Sequence, residues 1–124
     1  MWFPSVEYIF TLFNDQIGTG TLMNRNGLIS TLDKVKWGIP FHDAPSIWEQ
    51  TAILYKEIVE NHYFSDGNKR IGILIAYVFL SKNGYIFSPN IGEIYNITMD
   101  VAQGLKTFHE LIEWFKKNSK KDKR

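Results

Sequence analysis

The stretch NHYFSDGNKRIGILIAYVFL, residues 61 to 80, joins a short polar segment directly to an apolar one. The polar segment holds a histidine, an acid, a glycine, an amide and two cations between positions 62 and 70. The apolar run from Ile71 to Leu80 has about half the length that a bilayer span requires, so it predicts a helix in the core of the domain. The sequence therefore places a group of polar side chains on a loop held against a buried helix.

Start and stop signals on both sides of this stretch predict a mainly α chain with six helices. Ser46 and Glu49 match a capping box, so a helix is expected to begin there. Gly84 can adopt the left-handed conformation that follows the end of the core helix. The expected helices span residues 5–16, 30–37, 46–61, 68–82, 90–104 and from 107 onward, with a loop at 18–27 and an extended connection at 39–44.

Length and composition indicate one compact domain. The 124 residues are 44% hydrophobic and 15% aromatic, which is enough apolar material for a core and too much for a disordered chain. We expect a single domain over residues 1–117. The polar residues 118–124 are expected to form a basic, disordered tail.

The charge balance and the residue types exclude several classes of function. The formal net charge is +1, so no overall positive field predicts nucleic-acid binding. No cysteine is present, which rules out disulfides and thiolate metal sites. The first residues show no basic start followed by an apolar run, so no signal peptide is expected, and we predict a cytoplasmic protein without a membrane partner.

The start of the core helix has the features of a phosphate-binding site. The first N–H groups of a helix have no partner within it, and the helix dipole places partial positive charge there. Gly67 removes a side chain that would keep a phosphate away from this backbone, and Asn68 adds an amide donor. Lys69 and Arg70 add two full positive charges. These four residues are candidate phosphate ligands.

Asp66 and His62 add an acid and a base to this group. A carboxylate repels phosphate, and a divalent cation resolves the conflict because Mg²⁺ is usually held by carboxylates together with substrate phosphates. Histidine in its neutral form accepts a proton near pH 7, so His62 is a candidate general base for an attacking hydroxyl. Phe64 lies between the two and is expected to anchor the loop in the core.

Each of these residues also has an ordinary structural interpretation. His62 alternatively stabilises the end of the preceding helix, and Asp66 with Gly67 forms a simple turn. Asn68 alternatively caps the next helix, and the two cations face water. Each alternative accounts for one or two residues, whereas none accounts for the occurrence of all of them between positions 62 and 70.

Residues His62 to Arg70, HYFSDGNKR, resemble the signature of the Fic/Doc family, H-x-F-x-[DE]-G-N followed by basic residues. Every fixed position of that signature is met, and the chain is most similar to the small stand-alone Doc toxins. The resemblance implies a Fido fold, a compact bundle of about six helices with a small β-hairpin flap. It also implies an enzyme that uses ATP and Mg²⁺ to modify a protein, with His62 as base, Asp66 as metal ligand and residues 67–70 as phosphate ligands.

The transferred group stays open between phosphate and AMP. Fic enzymes that transfer AMP typically have glycine where Lys69 stands and a second arginine where Ile73 stands. Lys69 and Ile73 agree with the Doc pattern, which favours transfer of the γ-phosphate, whereas Gly67 is the Fic residue where Doc has alanine. A third hypothesis is a catalytically idle member that acts by binding alone, which the intact His62 and Asp66 argue against.

The resemblance also predicts partners. The target protein carries a Ser, Thr or Tyr hydroxyl, and elongation factor Tu is a candidate. No inhibitory [ST]-x-x-x-E-[GN] segment is present, since Lys56 stands four residues before Glu60, so a separate antitoxin is expected. A flap that aligns the target as an added strand is expected at five residues, and the alternative there is a proline-bearing connection with its aromatic side chains in the core. These flap residues are Trp37, Gly38, Ile39, Pro40 and Phe41.

Overall fold

The computed structural model of the chain describes residues 1–38 and 43–123. These residues form six helices and one two-stranded sheet, which confirms the predicted mainly α class. In chain order the helices are α1 (Val6–Gln16), α2 (Arg25–Trp37), α3 (Ile47–Asn61), α4 (Asn68–Lys82), α5 (Ile91–Ala102) and α6 (Phe108–Lys117). The strands are β1 (Tyr85–Phe87), which follows α4, and β2 (Ser119–Lys121), which follows α6.

Helix α4 lies at the centre of the fold, as its apolar sequence predicts. Its faces join two cores, one shared with α1, α2 and α3 and the other shared with α3, α5, α6 and β1. A Cβ atom at Gly72 would lie 2.6 Å from Val59 Cγ2, so α3 and α4 pack in close contact. The pair therefore holds the loop between them at a fixed place on the surface. No helix among the described residues is both long and apolar enough to span a bilayer.

Local capping signals predict most helix ends correctly. Ser46 and Thr107 each form a capping box with the glutamate three residues further on. Helices α1, α3 and α4 end at the expected residues. Gly84 has the expected left-handed conformation, with φ at 91°. These ends depend on contacts within a few residues, which is why a sequence pattern predicts them.

Helix α2 begins earlier than predicted, so the expected start at Ser30 is wrong. Its N-cap is Asn24, whose side chain accepts a hydrogen bond from the Gly27 N–H at 2.8 Å. Gly27 suggested a loop, but glycine stands there for packing, because a Cβ atom would lie 2.6 Å from Cε1 of the Tyr63 ring. The polar segment before α2 is therefore shorter than expected and ends beside the loop that follows α3.

The predicted disordered tail is wrong for residues 119–121. These residues form β2, which pairs antiparallel with β1 in a register that places Lys121 opposite Tyr85. The pairing extends beyond the strands, since the Ser88 N–H donates to the Asn118 carbonyl at 2.9 Å. Strand pairing uses backbone groups, so it does not require the apolar side chains that this segment lacks.

The predicted flap lies mostly outside the described residues. Trp37 is the last residue of α2 and Gly38 caps that helix, whereas Ile39, Pro40 and Phe41 are not among the described residues. The Trp37 side chain is exposed, so the alternative that placed it in the core is wrong for this residue. The described sheet is a different feature, because α5 and α6 separate its two strands along the chain.

Acid stability tests the capping box of α6. Hydrogen bonds from the backbone and hydroxyl of Thr107 hold the pKa of Glu110 below its ordinary value of 4.5. Because folding favours the charged form, Glu110 stabilises the fold above that value and loses the contribution as the pH falls through its folded-state pKa. We expect Glu110→Gln to flatten the acid limb of the melting-temperature curve, whereas the exposed Glu113→Gln on the same helix should not. Thermal unfolding at a series of acidic pH values measures this, and a Glu110→Gln curve parallel to that of the wild type would contradict it.

Candidate active site

The polar loop between α3 and α4 begins and ends with a left-handed residue. His62 caps the end of α3 with φ at 52° and ψ at 51°. Within the described part of the chain it is the only residue other than glycine with a positive φ. Gly67 precedes α4 with φ at 79°. This conformation costs a residue other than glycine about 1 kcal/mol, so His62 needs fixed neighbours to keep it.

Phe64 and Asn68 brace the loop from inside. The Phe64 ring is buried, as its predicted anchoring role requires, and it stacks on Phe13 of α1 with ring centroids 4.1 Å apart. The Asn68 side chain accepts a hydrogen bond from the Phe64 N–H at 3.0 Å and donates one to the Phe64 carbonyl at 2.8 Å. Asn68 is only 7% exposed. Its amide thus satisfies buried backbone groups, a role that the sequence did not reveal, while its contact with phosphate stays a prediction.

The segment before α2 holds the same loop from outside. The N–H groups of Met23 and Asn24 donate to the Tyr63 carbonyl at 2.8 and 3.0 Å. The Ser65 N–H donates to the Thr21 carbonyl, and the Thr21 N–H donates to the Ser65 hydroxyl, both at 2.9 Å. Thr21 and Ser65 are 44 positions apart, so no local pattern predicts that they pair. Braced on both sides, the loop presents its remaining side chains to solvent in a fixed arrangement.

The loop and the first turn of α4 line a cleft of about 430 Å³, hereafter the first cleft. The cleft brings together every predicted catalytic, metal and phosphate residue. Trp37 and Gly38, the two described residues of the predicted flap, are not among its lining residues. The lining residues are Val59, His62, Ser65, Asp66, Gly67, Asn68, Lys69 and Arg70.

The charged side chains of the first cleft do not neutralise one another. Within residues 1–38 and 43–123, the side chains of His62, Asp66 and Lys69 form no hydrogen bond or ion pair. Arg70 donates to the Thr19 hydroxyl, a neutral partner, at 3.2 Å. A base, an acid and two cations therefore remain free to contact an external ligand.

Asp66 fits a metal ion whose coordination is completed by phosphate. No group of three His, Cys, Asp or Glu side chains among the described residues is placed to hold a metal ion. Mg²⁺ commonly takes one or two carboxylates together with substrate phosphates and waters. Asp66 can supply the one carboxylate, and the two cations beside it can bind the phosphates that supply further ligands. A single carboxylate does not suit a metal ion that is held by protein ligands alone.

Gly67 is required by the fold, and for a different reason from the expected one. We expected its missing side chain to clear space for phosphate. A Cβ atom would instead point into the core, 2.9 Å from Ile17 Cγ2 and 3.1 Å from Phe13 Cε2. Its positive φ also disfavours a side chain. Glycine therefore shapes the turn that presents the first N–H groups of α4, and it does not enlarge the cleft.

A second, apolar cleft of about 330 Å³ adjoins the first and lies between α4 and α5. The two clefts share Lys69 and Arg70. Its walls include Ile73 from α4 and two side chains of α5, Ile91 and Tyr95, that are 84% and 67% exposed. The sequence did not predict this cleft, because apolar positions on α5 are equally compatible with a buried helix face. An apolar surface thus lies directly beside the two cations.

The family described as Fic/DOC has a sequence model that matches residues 12–80 of this chain. The match covers more than half of the 124 residues and includes the whole of the polar loop together with nearly all of α4. No curated protein matches the chain.

Proposed function

Because the chain belongs to the Fic/DOC family, we propose that it is a Doc-like toxin that transfers phosphate from ATP to a hydroxyl side chain of a target protein. Family membership supports a Fic-type transferase in general. The observation that carries the finer proposal is the first cleft, where His62, Asp66, Lys69 and Arg70 converge without pairing with one another. Such a set of free groups suits a ligand that is anionic and bound with a metal ion.

Each group in the first cleft has a role in this transfer. Lys69, Arg70 and the first N–H groups of α4 bind the phosphates of ATP through their positive charge. His62 takes the proton of the target hydroxyl, whose oxygen bonds to the γ-phosphorus while the bond to the bridging oxygen breaks and ADP leaves. Asp66 would hold Mg²⁺, which when bound would neutralise part of the phosphate charge.

The second cleft supports a nucleotide as the phosphate donor. Its apolar walls include the exposed ring of Tyr95 and suit a flat purine base. It shares Lys69 and Arg70 with the first cleft, so a ligand whose phosphates contact these cations can extend an apolar part into it. A phosphate donor without such a part would leave the second cleft unused.

Transfer of AMP by the same residues is the second candidate. AMP transfer in this family typically relies on a second arginine at the position of Ile73, which here contributes an apolar side chain to the second cleft. Lys69 also departs from the AMP-transferring pattern. Gly67 is only weak support for AMP transfer, because the fold already requires glycine there. Phosphate transfer is therefore the favoured reaction, and a catalytically idle binding protein is the third candidate.

We propose that a separate antitoxin restrains the enzyme in the cytoplasm. Glu60, the residue nearest to the inhibitory pattern, forms an ion pair with Lys56 at 2.5 Å within α3. Glu60 is also not among the lining residues of the first cleft. The proposed target is a protein with a Ser, Thr or Tyr hydroxyl, and elongation factor Tu is the first candidate to assay.

ATP labelled at either the γ or the α phosphorus separates these candidates. The purified protein is incubated with Mg²⁺, a cell lysate and each form of ATP. We expect a protein band to gain label from the γ-labelled form and none from the α-labelled form. Label from the α position would establish AMP transfer instead. Label from neither form, together with intact ATP binding, would favour the idle binding protein.

Asp66→Asn is expected to change the affinity for ATP in opposite directions in the absence and in the presence of Mg²⁺. Without Mg²⁺ the variant should bind ATP more tightly than the wild type, because it lacks the carboxylate that repels phosphate. With Mg²⁺ it should bind about tenfold more weakly, a loss of roughly 1.4 kcal/mol. Calorimetric titration of ATP in Mg²⁺ and in a chelator measures both effects. The control Asp33→Asn removes an exposed carboxylate from α2 and should behave as the wild type, whereas weaker binding by Asp66→Asn in both conditions would exclude the metal role.

A further inference from the structure

Tyr63, the residue that follows the candidate base, is held at both of its ends. Its carbonyl accepts hydrogen bonds from the N–H groups of Met23 and Asn24. Its hydroxyl lies 2.6 Å from the Thr31 hydroxyl oxygen and accepts a hydrogen bond from Asn61 Nδ2 at 3.1 Å. Tyr63 is 5% exposed, and Thr31 is fully buried. The residue therefore has little freedom to move.

Glu57 sets the direction of the hydrogen bonds at this hydroxyl. The Thr31 hydroxyl donates to Glu57 Oε1 at 2.7 Å, and Lys34 pairs with the same carboxylate at 3.1 Å. A hydroxyl has a single proton, so Thr31 accepts a hydrogen bond from Tyr63, whose O–H is the donor. The Tyr63 hydroxyl thus connects the loop to the side-chain contacts that join α2 to α3.

The left-handed conformation of His62 depends on a neighbouring residue that is held in place, as Tyr63 is. A residue in a disfavoured conformation keeps it only where the surrounding contacts leave no alternative. The contacts at both ends of Tyr63 hold its side chain and the carbonyl of the peptide group that joins it to Phe64, so the backbone that directly follows His62 is fixed. We propose that Tyr63 is a positioning residue, which through its hydroxyl keeps His62 left-handed and holds the imidazole at the first cleft. The importance of this for catalysis rests on the proposed function of His62 as the base.

The phosphate ligands are braced by other contacts. The Asn68 side chain holds the backbone of Phe64, and the turn at Gly67 packs against Phe13 and Ile17. Neither of these contacts involves the Tyr63 hydroxyl. Loss of the hydroxyl should therefore displace the base and leave the ATP-binding groups in place, which distinguishes positioning from a general loss of stability.

Tyr63→Phe removes the hydroxyl alone and tests this role. We expect kcat to fall roughly 10- to 100-fold, the size of effect produced by misplacing a reacting group by about 1 Å. The KM for ATP should change by less than about twofold, since the phosphate ligands do not move. The matched control is Tyr55→Phe, which removes another buried tyrosine hydroxyl, paired with Thr98 on α5. Tyr55→Phe should lower the melting temperature by about as much as Tyr63→Phe does, and it should leave kcat at the wild-type value.

The ring signals of His62 in NMR spectra provide a readout that does not depend on activity. The chain has three histidines, so replacing them one at a time assigns each ring. Tyr63→Phe should move the His62 signals and speed hydrogen exchange at the two amides that bind the Tyr63 carbonyl. Thr31→Val, which removes the same hydrogen bond from the other side, should do likewise, and Tyr55→Phe should do neither.

Unchanged His62 signals in both Tyr63→Phe and Thr31→Val would overturn the positioning role, even if both variants were less stable. A fall in kcat that Tyr55→Phe reproduced in full would overturn it as well. If the wild type transferred no label at all, the proposed function would fail, while the ring signals would still decide whether Tyr63 positions His62.

Discussion

His62→Ala is expected to reduce the transfer of label from ATP roughly 10²- to 10⁴-fold, the range typical for loss of a general base. The imidazole lies exposed at the first cleft and has no hydrogen-bond partner among the described residues. Its removal therefore breaks no hydrogen bond or ion pair among these residues and should leave the free energy of unfolding nearly unchanged. Affinity for ATP should also persist, because the phosphate ligands are other residues. Initial rates with labelled ATP, together with calorimetric titration of ATP, measure both quantities.

The matched control for this variant is His109→Ala. His109 is an exposed histidine on α6, outside both clefts. Its replacement should leave transfer and ATP binding at the wild-type level. The role of His62 as base would be refuted by a variant that transfers label at close to the wild-type rate. Loss of ATP binding in His62→Ala would instead indicate that the ring is a nucleotide contact.

Asn68→Ala should lower the free energy of unfolding by about 2–6 kcal/mol and weaken ATP binding as well. The substitution leaves the N–H and carbonyl groups of Phe64 without partners, and each buried polar group that loses its partner costs about 1–3 kcal/mol. The loop would then lose its internal brace, and the turn that presents the first N–H groups of α4 would loosen with it. Urea denaturation measures the first effect and titration with ATP the second.

Asn83→Ala is a closely matched control at the other end of α4. The Asn83 side chain also braces backbone groups, since it accepts from the Trp2 N–H and donates to the carbonyls of Trp2 and Phe79. This variant should lose comparable stability and still bind ATP. The bracing role of Asn68 would be contradicted if Asn68→Ala lost ATP binding but kept the stability of the wild type. That result would indicate that the Asn68 amide binds phosphate.

The helix ends could largely be predicted because the contacts that define them are local. The Ser46 side chain accepts a hydrogen bond from the N–H of Glu49, three residues further on. Gly84 follows the end of α4 with a positive φ, a conformation that glycine adopts without a contact from a distant part of the chain. The start of α2 was predicted wrongly because Gly27 has the sequence appearance of a loop residue. Its real constraint is the ring of Tyr63, which arrives from a distant part of the chain.

Strand β2 was missed for a similar reason. Its side chains are polar and mostly charged, and a segment of this kind is normally solvated. The backbone of β1 supplies its hydrogen bonds, and the Tyr85–Lys121 register forms only once α5 and α6 bring the two segments together. Hydrogen bonds to a backbone partner do not require particular side chains in the segment that is bound, so its sequence does not indicate the pairing.

The sequence by itself determined which residues form the candidate site and at which helix end they lie. His62 to Arg70 are consecutive, and the apolar run after them makes the second half of this segment the start of a core helix. Proximity in the chain guarantees proximity in space, whatever the rest of the fold. The residues that line the first cleft could therefore be named as a candidate site before its geometry was known.

Only the tertiary structure decided how those residues are held. Thr31 reaches the Tyr63 hydroxyl across 32 positions, and no short pattern contains such a contact because it depends on how α2 packs against α3. The contact between Asn68 and Phe64 spans just four positions, yet it too required the fold. Asn68 becomes a brace because its surroundings bury it, and burial is a property of the packed chain and not of the residue.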